Sequence, residues 1–204
     1  MNYKGAVLRN LSLAGPSRDR PIPGYPKNQS LAPPGTAPVV WYAESVELDE
    51  TQRVLVAMER HGVRYAVFGA VALNIHGFVR ATEDLDIFVA PDAENISALK
   101  KALTDVFDDP EIASISADDL LGDYPAVQYV PPSGDFHLDI LTRLGEAFRY
   151  ADLEIERVRF GELEVSVVSP LTLYRMKKDT VRPKDRIDAE VLRERFRIED
   201  PRCR

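Results

Sequence analysis

Cysteine is almost absent from this chain of 204 residues: only Cys203 occurs, so no disulfide can form within it and no metal can be held by a set of thiolates. Histidine is nearly as scarce, and His61, His76 and His137 are too scattered to suggest a zinc centre. Long hydrophobic runs are missing as well. No stretch approaches the roughly 20 apolar residues that cross a bilayer, and the apolar segment Ala6 to Ala14 is short and broken by Arg9, unlike the core of a secretory signal. Positive charge is in deficit, with 26 Lys and Arg against 33 Asp and Glu, and the net charge of −7 argues against unspecific coating of nucleic acid. A cytoplasmic protein that does not associate with membranes is the simplest expectation.

What is present is unevenly spread. From Pro170 to Arg204, eleven basic residues stand against seven acidic ones, so a phosphate-bearing partner would meet that end of the chain first. Residues 1–44 differ in another way. Seven of the fifteen prolines fall between Pro16 and Pro38, which prevents regular helix or sheet and reads as an extended arm. Such an arm is either a tail, or a strap that Val39-Val40-Trp41-Tyr42 fastens to the domain or to a second subunit, making a homodimer.

Apolar periodicity predicts the remainder. Helices are expected over 47–61 and 71–76, from the N-cap Asp92 through Val106, over 171–180 behind Pro170, and over 185–197 after an interruption at Arg182-Pro183. In the last of these, Ile187, Val191, Leu192 and Phe196 are expected to face inward. Strands are expected over 64–68, 84–89, 126–130 and 136–141, with a hairpin of 155–160 and 163–168 across Gly161-Glu162. The alternation suggests an α/β or α+β domain over 45–169 with a small helical module over 170–204.

The chemistry concentrates between Tyr65 and Val89. Asp84 and Asp86 flank one apolar residue on a strand, so both carboxylates project from one face while Leu85 and Ile87 enter the core. Like charges side by side are costly unless a cation sits between them, and a hard divalent ion is the natural counter-ion. Upstream, Gly69-Ala70 ends a strand and opens a helix, where glycine lets the backbone approach a phosphate. Arg80 and Thr82 lie just before the acids. Asp139, between Leu138 and Ile140, points away from the core; it either meets solvent or supplies a third carboxylate to the same site. His137 shares its face, in a role the sequence leaves open. His76 is expected to end its helix bonded to backbone.

These residues resemble a known signature. Gly69-Ala-x-Ala-x-x-x-His-Gly-x-x-Arg-Ala-Thr-x-Asp-Leu-Asp-Ile87 is similar to that of the DNA polymerase beta-like nucleotidyltransferase superfamily, in particular its AbiEii-type group, which includes toxins of type IV toxin-antitoxin systems. The segment from Val167 to Asp188 is similar to the C-terminal module of the same group. The resemblance implies a mixed sheet flanked by helices and two magnesium ions bound by Asp84, Asp86 and Asp139. It implies nucleotide phosphates on Gly69 and Ala70, and Lys177 and Asp188 over the nucleotide. Ala70 departs from the usual Ser or Gly and gives up a hydroxyl contact. Arg80 is a phosphate contact or an ion-pair partner of Asp84. The implied reaction moves an NMP from an NTP to an acceptor hydroxyl, and tRNA, protein and antibiotic acceptors all occur in the superfamily. A cognate antitoxin is implied as a partner. The competing expectation is a catalytically silent module of the same fold whose acids only bind a cation.

Overall fold

The computed structural model describes residues 46–122, 125–134 and 136–199; the arm over 1–44, with its strap and its dimer contact, lies outside them. In chain order the elements are α1 (Val46–Arg60), β1 (Tyr65–Phe68), α2 (Gly69–Ile75), β2 (Asp84–Val89), α3 (Ala93–Phe107), α4 (Ala117–Leu121), β3 (Ala126–Tyr129) and β4 (His137–Leu141). A small ribbon of β5 (Arg143–Leu144) and β6 (Phe148–Arg149) follows, then β7 (Ile155–Phe160), β8 (Leu163–Val168), α5 (Pro170–Lys177) and α6 (Pro183–Phe196). Six strands form one mixed sheet in the order β3-β4-β2-β1-β8-β7. Helices flank it, as the α/β reading anticipates, although the ribbon was not predicted. Among the described residues no helix is long and apolar enough to cross a membrane.

The middle of the sheet follows from strand alternation. Leu85 and Ile87 of β2 and Leu138 and Ile140 of β4 are fully buried, while the residues between them stay half-buried on the opposite face. Each such burial contributes about 1.5–3 kcal/mol. Four of them outweigh the repulsion of two part-exposed carboxylates, on the order of a few kcal/mol at an effective dielectric near 20. The strands can therefore carry acids side by side without coming apart.

Two junctions fix what surrounds those acids. At the first, β1 passes into α2 without a loop, through Gly69 at φ +66. A Cβ on this residue would lie 1.9 Å from Oδ2 of Asp86, so glycine is demanded here both by backbone and by contact. At the second, β8 passes into α5 through Ser169, whose hydroxyl accepts from the Thr172 amide at 3.1 Å, with Pro170 in the first turn. The α2 end is fastened beside it, because His76 Nε2 donates to the Val168 carbonyl at 2.8 Å, the backbone bond expected of that histidine.

The last helix departs from expectation. Pro183 opens α6 rather than interrupting the chain before it, since proline suits the first helical turn. Of the four residues expected inward, only Leu192 is fully buried; Ile187 is 59 % exposed, and Val191 and Phe196 lie near the surface. The buried face is instead Asp188, Ala189 and Leu192. Apolar periodicity alone cannot find a face whose central residue is an acid made tolerable by ion pairs. The inner residues of α5 and α6, Leu173, Met176, Ala189 and Leu192 among them, join the same hydrophobic cluster as the sheet.

Both junctions can be tested by denaturation. Ser169→Ala should lower stability by about 1 kcal/mol, the usual cost of a lost N-cap. Gly69→Ala should cost about 1–3 kcal/mol through its left-handed backbone and displace the Asp86 carboxyl. Equal melting curves for wild type and Gly69→Ala would show that the turn does not press on Asp86.

Candidate active site

The parallel pairing of β2 with β4 brings the acids together. Asp86 lies opposite Asp139, and Asp84 lies opposite His137, all on one face of the sheet. The third carboxylate therefore shares the face of the first two, one strand over, the second of the two outcomes that the sequence leaves open. The antiparallel pairing of β1 with β2 sets Phe68, the residue before Gly69, opposite Asp86. The turn and the acids are thus neighbours by register and not through a flexible loop.

The side chains hold different partners. Asp84 Oδ1 meets His137 Nδ1 at 3.0 Å, which gives that histidine a role in orienting the first acid. Gln128, opposite Asp139 on β3, donates from Nε2 to Asp139 Oδ1 at 2.9 Å. Thr82 bonds through its hydroxyl to both the amide and the carbonyl of Asp84, at 3.1 Å each, and so braces the start of β2. Among the described residues no three carboxylate or imidazole groups converge closely enough to hold a metal as they stand. Mutual repulsion explains this spread: Asp84 and Asp139 have each turned to a neighbour that hydrogen-bonds them.

Asp86 has no such relief. Burial, then Asp139, then Asp84 push its carboxyl up to about 7, against the opposing charges of Lys177 and Arg182. A carboxylate destabilised in this way by two others, with Gly69 packed against it, is suited to a hard cation: the donors are oxygens, and the negative charge is in excess. The residues present therefore fit magnesium.

Cations approach from the C-terminal helices. Lys177, at the end of α5, is 12 % exposed, with Nζ 2.7 Å from Asp185 Oδ1 and 3.0 Å from Asp188 Oδ2. Burial raises the Asp185 carboxyl, but the hydrogen bond and charge of Lys177, together with the Thr180 hydroxyl and the charge of Arg182, offset this and hold it below its usual range. Asp188, only 3 % exposed, also pairs with Arg80. Arg80 thus meets Asp188, not Asp84, and its backbone is held on both sides by the Asn74 side chain at 2.7 and 2.9 Å. Ala70 stands half-buried in the first turn of α2.

Four contributors escaped sequence reasoning. Gln128 was legible in principle, as a polar residue on a strand that would pair with the one carrying Asp139. Asn74 is the sole polar side chain in the segment Val71–Ile75. Arg182 and Asp185 sit within the tail motif, but only three-dimensional proximity shows that one charge reaches Asp86 and the other holds Lys177.

Comparison with known proteins gives the family. Residues 53–200 match the family model described as nucleotidyl transferase AbiEii toxin, type IV TA system. No curated protein matches the chain. Similar solved structures include ANT(2")-Ia in complex with adenylyl-2"-tobramycin, at 13 % identity over 74 % of this chain and 90 % of that one, TM-score 0.49. A putative nucleotidyltransferase from Thermotoga maritima is 15 % identical over 74 % and 92 % of the two chains, TM-score 0.46. An antigenic nucleotidyltransferase-like protein from Paracoccidioides brasiliensis is 18 % identical over 72 % and 76 %, TM-score 0.45. The sequence match alone carries the assignment, since it spans well over half of the chain: the protein belongs to the AbiEii nucleotidyltransferase family of type IV toxin-antitoxin systems.

Proposed function

We propose that the chain transfers an NMP from an NTP to a hydroxyl of tRNA with the help of two magnesium ions, as a cytoplasmic toxin restrained by a cognate antitoxin. One observation carries the reading. Asp86 sits in register with Asp139 beside Asp84, in a face acidic enough to keep a proton on Asp86 near neutral pH. A protein gains nothing structurally from such crowding, whereas a cationic ligand would relieve it. The basic surplus of residues 170–204 favours a nucleic acid as the acceptor.

Asp84, Asp86 and Asp139 would hold the ions, whose chemistry is to offset charge on the reacting phosphate oxygens. The acceptor oxygen attacks the α-phosphorus as the bond to pyrophosphate breaks, and Asp139 receives the hydroxyl proton. Lys177 and the exposed Arg182 offset charge gathering on pyrophosphate. Gly69 and Ala70 offer backbone N–H groups of the first helical turn, which lack partners within the helix, to the phosphates. A silent binding module is favoured by one feature: Asp84 and Asp139 turn aside to His137 and Gln128.

The two readings part on a direct assay. Purified protein with magnesium and each α-labelled NTP, alone and with total tRNA or cell extract, should place label in RNA. No transfer in any mixture, together with no magnesium-dependent NTP binding, would leave the enzyme reading without support. Asp139→Asn should cut transfer by at least about 100-fold, the scale expected when a proton acceptor is removed, with the fold retained by circular dichroism. Asp86→Asn should be inactive yet more stable. In EDTA the folded wild type keeps the Asp86 proton to about pH 7, and the unfolded chain releases it near 3.8. Wild-type stability therefore falls as pH rises across that window, and the variant should melt several degrees above wild type at pH 8 but not at pH 3.5. Parallel melting at both pH values would refute the crowding.

A further inference from the structure

We infer that Asp188 is a positioning residue, which touches neither nucleotide nor metal and acts by locking Arg80 and Lys177 into one rigid pair. The inference rests on the nucleotidyltransferase reading and departs from the resemblance, which would lay Asp188 over the nucleotide.

The geometry turns Asp188 toward the protein's own cations. Both carboxylate oxygens are committed, Oδ1 to the Arg80 guanidinium and Oδ2 to Lys177 Nζ at 3.0 Å, and the side chain is 3 % exposed. Asp188 lies on the inner face of α6 between Arg80, in the segment leading to β2, and Lys177, at the end of α5. It is the only acid that pairs with both cations among the described residues. Asp185 completes the set from one turn earlier, holding Lys177 at 2.7 Å and Thr180 Oγ1 at 3.2 Å. Two acids and two bases are thus balanced in charge. A buried carboxylate in such a group stabilises little by itself, but removing it takes from Arg80 the acid it pairs with and leaves Lys177 with one acid in place of two.

The consequence reaches the acids. The Arg80 backbone is clamped by Asn74 of α2, and two residues on Thr82 braces the backbone of Asp84. Lys177 acts electrostatically on Asp86. One carboxylate therefore sets where positive charge stands relative to the acidic face from two directions, through the core segment and through the helical end. Without it, Arg80 is free to swing into solvent and Lys177 retains only Asp185.

A double-mutant cycle decides between positioning and direct contact. Binding of magnesium with each of the four NTPs is measured by calorimetry for wild type, Asp188→Asn, Lys177→Met with Arg80→Gln, and the triple variant, using whichever NTP binds wild type best. If Asp188 acts through the two cations, each of the first two variants should weaken binding at least about tenfold, and the triple variant no more than about threefold beyond the weaker of them, since coupled residues do not add. Independent losses that multiply to about a hundredfold would mean that Asp188 meets the ligand itself and would overturn the inference. The triple variant, which removes both charges along with their counter-ion, keeps the comparison readable if Asp188→Asn alone melts below assay temperature: it should then regain melting temperature over Asp188→Asn, and a triple variant no more stable than Asp188→Asn would count against the lock. Absence of NTP binding by wild type would instead overturn the nucleotidyltransferase reading, so the two failures are distinct.

Discussion

The register of β2 against β4 is the constraint on which the rest depends. Because strand side chains alternate, pairing Asp86 with Asp139 decides in one step that the acids share a face and that Leu85, Ile87, Leu138 and Ile140 share the other. A slip by one residue would bury the acids and expose the core, so the hydrophobic energy that holds the sheet also holds the site. The acids are crowded by the same pairing that makes the protein stable, and Gln128 and His137 moderate a strain that the fold does not permit them to remove.

Around this face the protein arranges charge by depth. Asp84 and Asp139 are half-exposed and find neutral or weakly basic neighbours, whereas the deeper Asp188 and Asp185 are matched against Arg80 and Lys177. Such a division follows from desolvation: a carboxylate near water can be left underpaired, but one at 3 % exposure cannot. Asp86 stands between the regimes, too covered for water to relieve it and only partly offset by the charges of Lys177 and Arg182. Its tendency to hold a proton is the physical mark of that position.

Much of this could be read from the residues. Strand parity put Asp84 and Asp86 on one face and turned Asp139 away from the core, the Gly161-Glu162 turn and the Asp92 cap fell where their chemistry put them, and the two-part motif identified the family; that Asp139 joins the other two follows only from the register. Arg80 and Asp188 were each singled out in the sequence, but not as partners, because 108 positions separate them and nothing local reveals the contact. The orientation of α6 failed for a related reason. Hydrophobic pattern assumes that what is inside is apolar, and Asp188 is inside because it is paired. Residues 1–44 contribute a readable composition and no more.

The two loop-free junctions have a mechanical meaning. β1 and β8 run parallel as neighbours, and each feeds straight into a helix, one through Gly69 and the other through Ser169. With no slack between strand and helix, the angular phase of α5 is inherited from the sheet. A single residue inserted between Val168 and Ser169 would turn Lys177 by about 100° around its helix axis, away from both of its acids. The same insertion in the exposed turn between β5 and β6 would be absorbed locally. Length is thus as strictly specified at these two seams as residue identity is within the motif, and the chain between the acidic face and its lysine behaves as a ruler.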